Sequence, residues 1–236
     1  MTAIKAILFD LDDTLIASDM KTFLPYYFRA LTAKLAHLVP PQKLIDQLLR
    51  STSAMMADDH PSKTNQQVFF EHFFPRIGIG QEILMPLFDD FYQHDFGQLR
   101  DLTQVKPEAR EIVSSLFARG YEVIIATQPV FPLTAIRQRL DWGGVGDFPY
   151  RLITSYENMH FSKPSISYFR EILRLIGRQP PECLMAGNDF DHDILPAAKV
   201  GMKTFWVTEA ASPSPEWPAE ADYSGTLSDL GRLVGS

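Results

Sequence analysis

The stretch Ala6-Ile7-Leu8-Phe9-Asp10-Leu11-Asp12-Asp13-Thr14-Leu15 decides the fold. Four apolar residues run into Asp10, Asp12 and Asp13. A short apolar run of this kind is the pattern of a strand buried on both faces. A packed interior does not tolerate unpaired carboxylates, so the cluster requires a partner, and a divalent cation meets that need. In open parallel sheets ligands bind just beyond the carboxyl ends of strands, which is where Asp10 stands.

Further apolar runs follow the same pattern at Glu122–Ala126, Arg151–Ile153, Cys183–Ala186 and Lys203–Val207. Helical periodicity separates the later ones. Pro107 to Arg119 carries Ile112, Val113, Leu116 and Phe117 and stops at Gly120. Pro164 to Ile176 carries Ile166, Phe169, Ile172, Leu173 and Ile176 and stops at Gly177. Proline at the start and glycine past the end is the asymmetry expected of helices. Asp193 to Val200 is a shorter candidate, closed by Gly201. Strands alternating with helices predict an α/β fold, a Rossmann-like and mostly parallel sheet.

One block departs from the alternation. Residues 17–103 show no convincing strand, and helices are predicted at Phe23–Leu38, Pro41–Arg50, Thr64–Phe74 and Gln81–Asp95. The expected organisation is a core of residues 1–16 and 104–236 with an all-helical insert at 17–103 between them. The insert is either extra structure that enlarges the core or a lid over the carboxyl end of the first strand; both its ends leave from the edge that carries Asp10, which favours the lid. Ala210 to Ala221 is rich in Pro, Ala, Ser and Glu and is expected to be a surface connection. Leu227, Leu230 and Leu233 predict a last short helix.

Bulk properties narrow the function. The net charge of −7 argues against a nucleic-acid partner, because a phosphate backbone would be repelled. A phosphorylated substrate would likewise gain nothing from the global field, so local cations must attract it. No apolar run approaches the ~20 residues of a membrane span, and no secretory signal is visible, with only four apolar residues between Lys5 and Asp10. The single cysteine, Cys183, lies in an apolar run and reads as a buried strand residue. A reducing cytoplasm is the expected compartment. The six histidines show no helical zinc spacing.

Four sets of polar residues follow a strand or precede a helix: Asp10 and Asp12; Thr127 after Val123-Ile124-Ile125-Ala126; Lys163 in Ser162-Lys163-Pro164; and Asn188, Asp189 and Asp193 in Gly187-Asn188-Asp189-Phe190-Asp191-His192-Asp193. A parallel sheet brings all four to one edge. In these pieces, and in their order from about Ile4 to Val207, the chain resembles the haloacid dehalogenase-like (HAD) superfamily. The helical insert between the first and second motifs corresponds to that family's C1 cap.

The resemblance implies a Mg²⁺-dependent phosphatase acting on a small phosphate ester through an aspartyl-phosphate. Asp10 would be the nucleophile and Asp12 the general acid/base. Thr127 would bind a phosphoryl oxygen, and Lys163 would place a charge beside Asp10 and phosphate. The metal would be held by Asp10, the Asp12 carbonyl and an acid of the fourth motif. There the chain departs from the common pattern, with Asn188 where an Asp is more usual. Asp189 keeps one family spacing to Asp193 and Asn188 the other. Asp189 is the expected direct ligand, because an amide is the weaker one, with Asn188 the alternative. Asp193 is expected to orient a water or Lys163 and to cap its helix.

Asp13 and Thr14 are expected to tie down their own turn. Gln128, with Pro129 to Pro132, is expected at the entrance. Lys63 and Asn65, in the most polar loop of the insert, are candidate substrate residues. Tyr26-Tyr27-Phe28 is expected to be a packing face. Three other functions fit the fold. A phosphomutase would use the same site. A haloacid dehalogenase would have no use for Asp12 or for Mg²⁺. A non-catalytic phosphate-binding module would be expected to have lost Asp10, Asp12 or Lys163, and all three are present.

Overall fold

The computed structural model describes residues 3–209 and 221–235. The expected surface connection, residues 210–220, therefore lies outside the described residues. β1 (Ala6–Phe9) is the centre of a six-stranded parallel sheet. Its partners are β4 (Glu122–Ile125), β5 (Leu152–Ile153), β6 (Cys183–Gly187), β7 (Lys203–Val207) and β8 (Tyr223–Gly225). The strand order is β5-β4-β1-β6-β7-β8. β1 pairs with β4 through Phe9↔Ile125 and with β6 through Phe9↔Ala186. The residues that follow these three strands, Asp10, Thr127 and Asn188, thus emerge side by side.

Period-two alternation builds two cores from the same strands. Ile7, Phe9, Val123, Ile125, Leu184 and Ala186 face one side. There they meet α5 (Pro107–Ala118), α6 (Leu133–Trp142) and α9 (Leu227–Gly235). Ala6, Leu8, Ile124, Ala126, Cys183 and Met185 face the other side. These meet α7 (Ile166–Ile176) and α8 (Leu195–Val200). Burial on both faces is what an all-parallel sheet requires. Cys183 is buried as expected, and desolvation pushes its thiol up to about 12.

The helical insert leaves and returns through a two-stranded antiparallel ribbon, β2 (Ile16–Ala17) with β3 (Gln104–Val105). Between them lie α1 (Met20–Leu35), α2 (Pro41–Ala57), α3 (Asn65–Ile77) and α4 (Gln81–Asp90). Thr64 starts α3 with a reciprocal capping box to Gln67. α4 was expected to continue to Asp95, but it passes into a π-helical turn, Phe91–Asp95, and a 3-10 helix, Phe96–Leu102. That irregular turn brings Phe91, Tyr92 and Phe96 around Tyr27 and Trp142. No helix among the described residues is long and apolar enough to cross a membrane.

Candidate active site

The polar cluster is organised around one buried lysine. Lys163 Nζ lies 2.7 Å from Asp10 Oδ1 and 2.6 Å from Asp193 Oδ1. All three residues are buried. Desolvation alone would depress the lysine, but Asp10 and Asp193 outweigh it and hold the ammonium well above the ordinary lysine range. Burial also raises the Asp193 carboxyl, against the pull of Lys163. A cation is thus fixed beside Asp10, which is the local charge that an acidic protein needs to hold an anion.

Local chemistry keeps Lys163 in place. Gln128 accepts from the Lys163 amide at 2.9 Å through Oε1 and donates to the Lys163 carbonyl at 3.1 Å through Nε2. Its side chain therefore ties the end of β4 to the lysine loop. The peptide between Lys163 and Pro164 is cis. The helix that was expected from Pro164 begins at Ile166, with the Ser165 hydroxyl accepting from the Ser167 amide. Thr127 is buried at the end of β4. Its carbonyl accepts from Tyr168 Oη at 2.8 Å and Thr154 Oγ1 at 2.9 Å, which pins the backbone beside Asp10.

Asp12 has a partner that the sequence did not reveal. Arg139, buried on α6, donates through both terminal nitrogens to the two Asp12 oxygens, with Nη1 at 3.0 Å from Oδ2. It also donates to Ser18 Oγ at 3.0 Å and stacks 4.8 Å from the centre of the Phe23 ring on α1. Burial raises the Asp12 carboxyl, while the charge and hydrogen bonds of Arg139 pull the other way, and burial wins. A carboxyl with a raised pKa at this place is suited to carry a proton. No helix had been expected over α6, which begins directly after Pro132. The signal was present in Leu133, Ile136 and Leu140, a helical stripe beginning directly after Pro132.

In the fourth motif the Asn188 side chain reaches Thr14, and that of Asp189 does not. Thr14 Oγ1 lies 3.2 Å from Asn188 Oδ1 and 3.4 Å from Asp10 Oδ2, so its single proton can go to either. The Asn188 amide oxygen and an Asp10 carboxylate oxygen thus share the Thr14 hydroxyl. The Asp189 carboxylate turns away and is half-exposed. Its Oδ1 accepts from the Asp191 and His192 amides at 3.0 Å each, and its Oδ2 lies 3.1 Å from His192 Nδ1. Burial would raise Asp189, but these donors outweigh it and hold the carboxyl below the ordinary range. Asp189 caps the π-helical turn Phe190–Ile194. It took the capping role that had been expected of Asp193.

Asp193 instead reaches back into the site. Its Oδ2 accepts from the Asp189 amide at 3.1 Å while Oδ1 meets Lys163. This approach requires a glycine at 187, where an added Cβ would lie 2.2 Å from Asp193 Oδ2. Trp206 Nε1 donates to the Asn188 carbonyl at 2.9 Å and fixes that residue from β7.

A model of the haloacid dehalogenase-like hydrolases matches residues 4–201. The chain belongs to that family. A curated relative, the glyceraldehyde 3-phosphate phosphatase of Methanothermobacter thermautotrophicus, is 29% identical over 220 residues, covering 86% of this chain and 85% of that protein. Among solved structures, a HAD phosphatase from Thermococcus onnurineus superposes with a TM-score of 0.58 at 22% identity, covering 98% of both chains. A 2-haloacid dehalogenase from Pseudomonas syringae pv. Tomato DC3000 gives 0.65 at 21%, again over 98% of both. At such identities the two structures speak to the fold alone.

In this HAD-like hydrolase the remaining expected site residues part company. Asp13, at φ 55°, is a turn residue as expected, and its Oδ1 accepts from the Ser18 amide at 3.0 Å. Thr14 does more than hold its turn, since it bridges Asp10 and Asn188. Lys63 is exposed and pairs with Glu71 at 2.6 Å, turned to solvent rather than to the cluster. Asn65 is buried and donates to the Pro129 and Phe161 carbonyls at 3.3 Å and to Ser162 Oγ at 3.2 Å. Its Nδ2 is a strut between the insert and the loops that carry Gln128 and Lys163, while its Oδ1 is buried without a hydrogen-bond partner.

Among the described residues no group of three or more His, Cys, Asp or Glu side chains is poised to hold a metal ion. The oxygen donors around the Thr14 hydroxyl are of mixed type, one carboxylate oxygen from Asp10 and one amide oxygen from Asn188. The Asp12 carbonyl is two residues along the same turn. Hard, oxygen-only donors with few charges suit a cation that keeps several waters. The residues present therefore fit Mg²⁺ better than a softer, nitrogen- or sulfur-loving metal.

Proposed function

We propose that the protein is a Mg²⁺-dependent phosphomonoester hydrolase that works through an aspartyl-phosphate on Asp10. The observation that carries this reading is the bridge of Lys163 between Asp10 and Asp193, with the Asp12 carboxyl two residues on. A phosphoryl group at Asp10 would meet the Lys163 ammonium and the Thr127 hydroxyl. Asp10 attacks phosphorus in line, and the P–O bond to the leaving alcohol breaks as the new one forms. Asp12 gives its proton to the departing oxygen. It then takes a proton from the water that attacks the aspartyl-phosphate, which releases inorganic phosphate and restores both residues.

Asp10, Asn188 and the Asp12 carbonyl would hold the metal, which supplies positive charge against the crowding of phosphate and carboxylate. Asp193 acts by orienting Lys163. Asp12 also favours this reaction over dehalogenation, which has no leaving alcohol to protonate. The relative that acts on glyceraldehyde 3-phosphate supports a small phosphate ester as substrate. The test is release of phosphate from p-nitrophenyl phosphate with and without Mg²⁺. Metal-dependent turnover is expected, with a loss of roughly 10³-fold or more in Asp10→Asn. Undiminished turnover in that variant would overturn the reading.

A further inference from the structure

A cavity of about 350 Å³ lies between the helical insert and the loop that follows Thr127. Its lining is shared by both parts: Tyr27, Phe69, Phe70 and Phe88 come from the insert, and Val130 and Phe131 from the core loop. Tyr27 and Phe131 meet edge to face at 5.4 Å, and Phe70 and Tyr156 at 6.3 Å, so packed rings build part of the wall, alongside flexible chains such as Met20 and Met85. On α2, Leu49 is 47% and Met56 38% exposed, and both line this same cavity. Large apolar side chains left open in a concave, aromatic wall are the mark of a ligand site rather than of unfinished packing.

Two further features limit the occupant. Gln128 is part of the wall, and it is the residue whose amide grips the Lys163 backbone on both sides. Gln128 directly follows Thr127 in the chain, so the cavity begins one residue beyond the proposed phosphate contact. Its lining contains no lysine, arginine or histidine, and its only charges are Asp89 and Glu157. Glu157 is engaged with the Leu133 amide at the start of α6. A second anionic group on the substrate would find no counter-charge here and would face a carboxylate in an apolar wall.

We infer that this cavity receives the leaving group of the phosphate ester, and that this group is apolar and carries no negative charge, with the bulk of an aromatic ring or a branched alkyl chain. The inference rests on the hydrolase reading above. It separates this chain from a relative whose substrate has a three-carbon polar leaving group, and it disfavours phosphorylated carboxylic acids, bisphosphates and nucleotides.

The experiment compares 1-naphthyl phosphate, glyceraldehyde 3-phosphate and 3-phosphoglycerate as substrates of the full chain and of Thr52→Trp, which fills the cavity from α2. The expected preference in kcat/KM for the naphthyl ester is ~10-fold or more over either small ester. Thr52→Trp, at a residue of the cavity lining, should lower kcat/KM for the naphthyl ester by ~10-fold or more and so erase that preference. In parallel, calorimetry of 1-naphthol with Asp10→Asn should show binding that Thr52→Trp, made in the same background, abolishes. Equal or reversed preference, or a preference untouched by Thr52→Trp, would overturn the inference and leave the hydrolase reading standing. Absence of turnover with every ester would overturn the hydrolase reading, and naphthol binding would then show whether the cavity alone is a ligand site.

Discussion

The edge of the sheet and the helical insert solve opposite problems with opposite materials. At the edge, buried charges are arranged in pairs: Lys163 with Asp10 and Asp193, and Arg139 with Asp12. In the insert, rings pack on rings, and the cavity they leave holds no positive charge. Buried ions are costly unless each has its partner, so the edge has little freedom to vary. Apolar packing tolerates exchange of one shape for another of similar volume. On the proposed function, the chemistry belongs to the part with little freedom to vary and the choice of substrate to the adaptable one. Arg139 joins the two, since one guanidinium holds Asp12, Ser18 and the Phe23 ring together.

The sharpest way to break this contrast is to remove the central cation. Lys163→Met leaves Asp10 and Asp193 facing one another in a buried site with nothing between them. Turnover should fall by ~10²-fold or more, and thermal unfolding should show a loss of ~3 kcal/mol. A variant with ordinary stability and activity would mean that the charges are not paired as described.

A smaller effect is expected from Arg139→Met, which keeps much of the volume on the Phe23 ring but removes the charge. The Asp12 side chain is 22% exposed, so water offsets part of the loss, and ~2 kcal/mol is expected in chemical denaturation. The kinetic effect should fall on kcat more than on KM, because the role proposed for Asp12 is to move protons rather than to bind substrate. A change in KM alone would place Arg139 in the substrate cavity instead.

The subtlest test separates two neighbouring residues. Asn188→Ala should raise the Mg²⁺ concentration needed for half-maximal activity by ~10-fold. Asp189→Ala should leave that concentration nearly unchanged and cost ~1 kcal/mol of stability through the lost cap. The reverse order would restore the register that the spacing of the acids suggests.

That register shows where sequence reasoning stops. The five apolar strands were legible because burial on both faces leaves uninterrupted runs such as Val123-Ile124-Ile125-Ala126. The convergence of Asp10, Thr127, Lys163 and Asp193 followed from the parallel order of those strands. Asn188 and Asp189, however, both satisfy a spacing to Asp193, and only the direction of the turn after β6 distinguishes them. β8 was missed because Tyr223-Ser224-Gly225 is too short and too exposed to show a pattern. β2 and β3, at two residues each, carry no periodicity at all. Arg139 was hidden for another reason: nothing in a helical arginine announces that it points inward. The cavity could not be foreseen from helices whose mutual packing is set by rings far apart in the chain, such as Tyr27 and Phe131.

The most direct test of the central claim is to trap the covalent intermediate. The protein would be mixed with a phosphate ester and Mg²⁺, quenched in acid within one turnover, digested and weighed by mass spectrometry. The account predicts a phosphoryl group on the Asp10 carboxylate, in the peptide that also holds Asp12 and Asp13, and none in Asp10→Asn. Turnover with no labelled Asp10 peptide, or with the label on another residue, would contradict it.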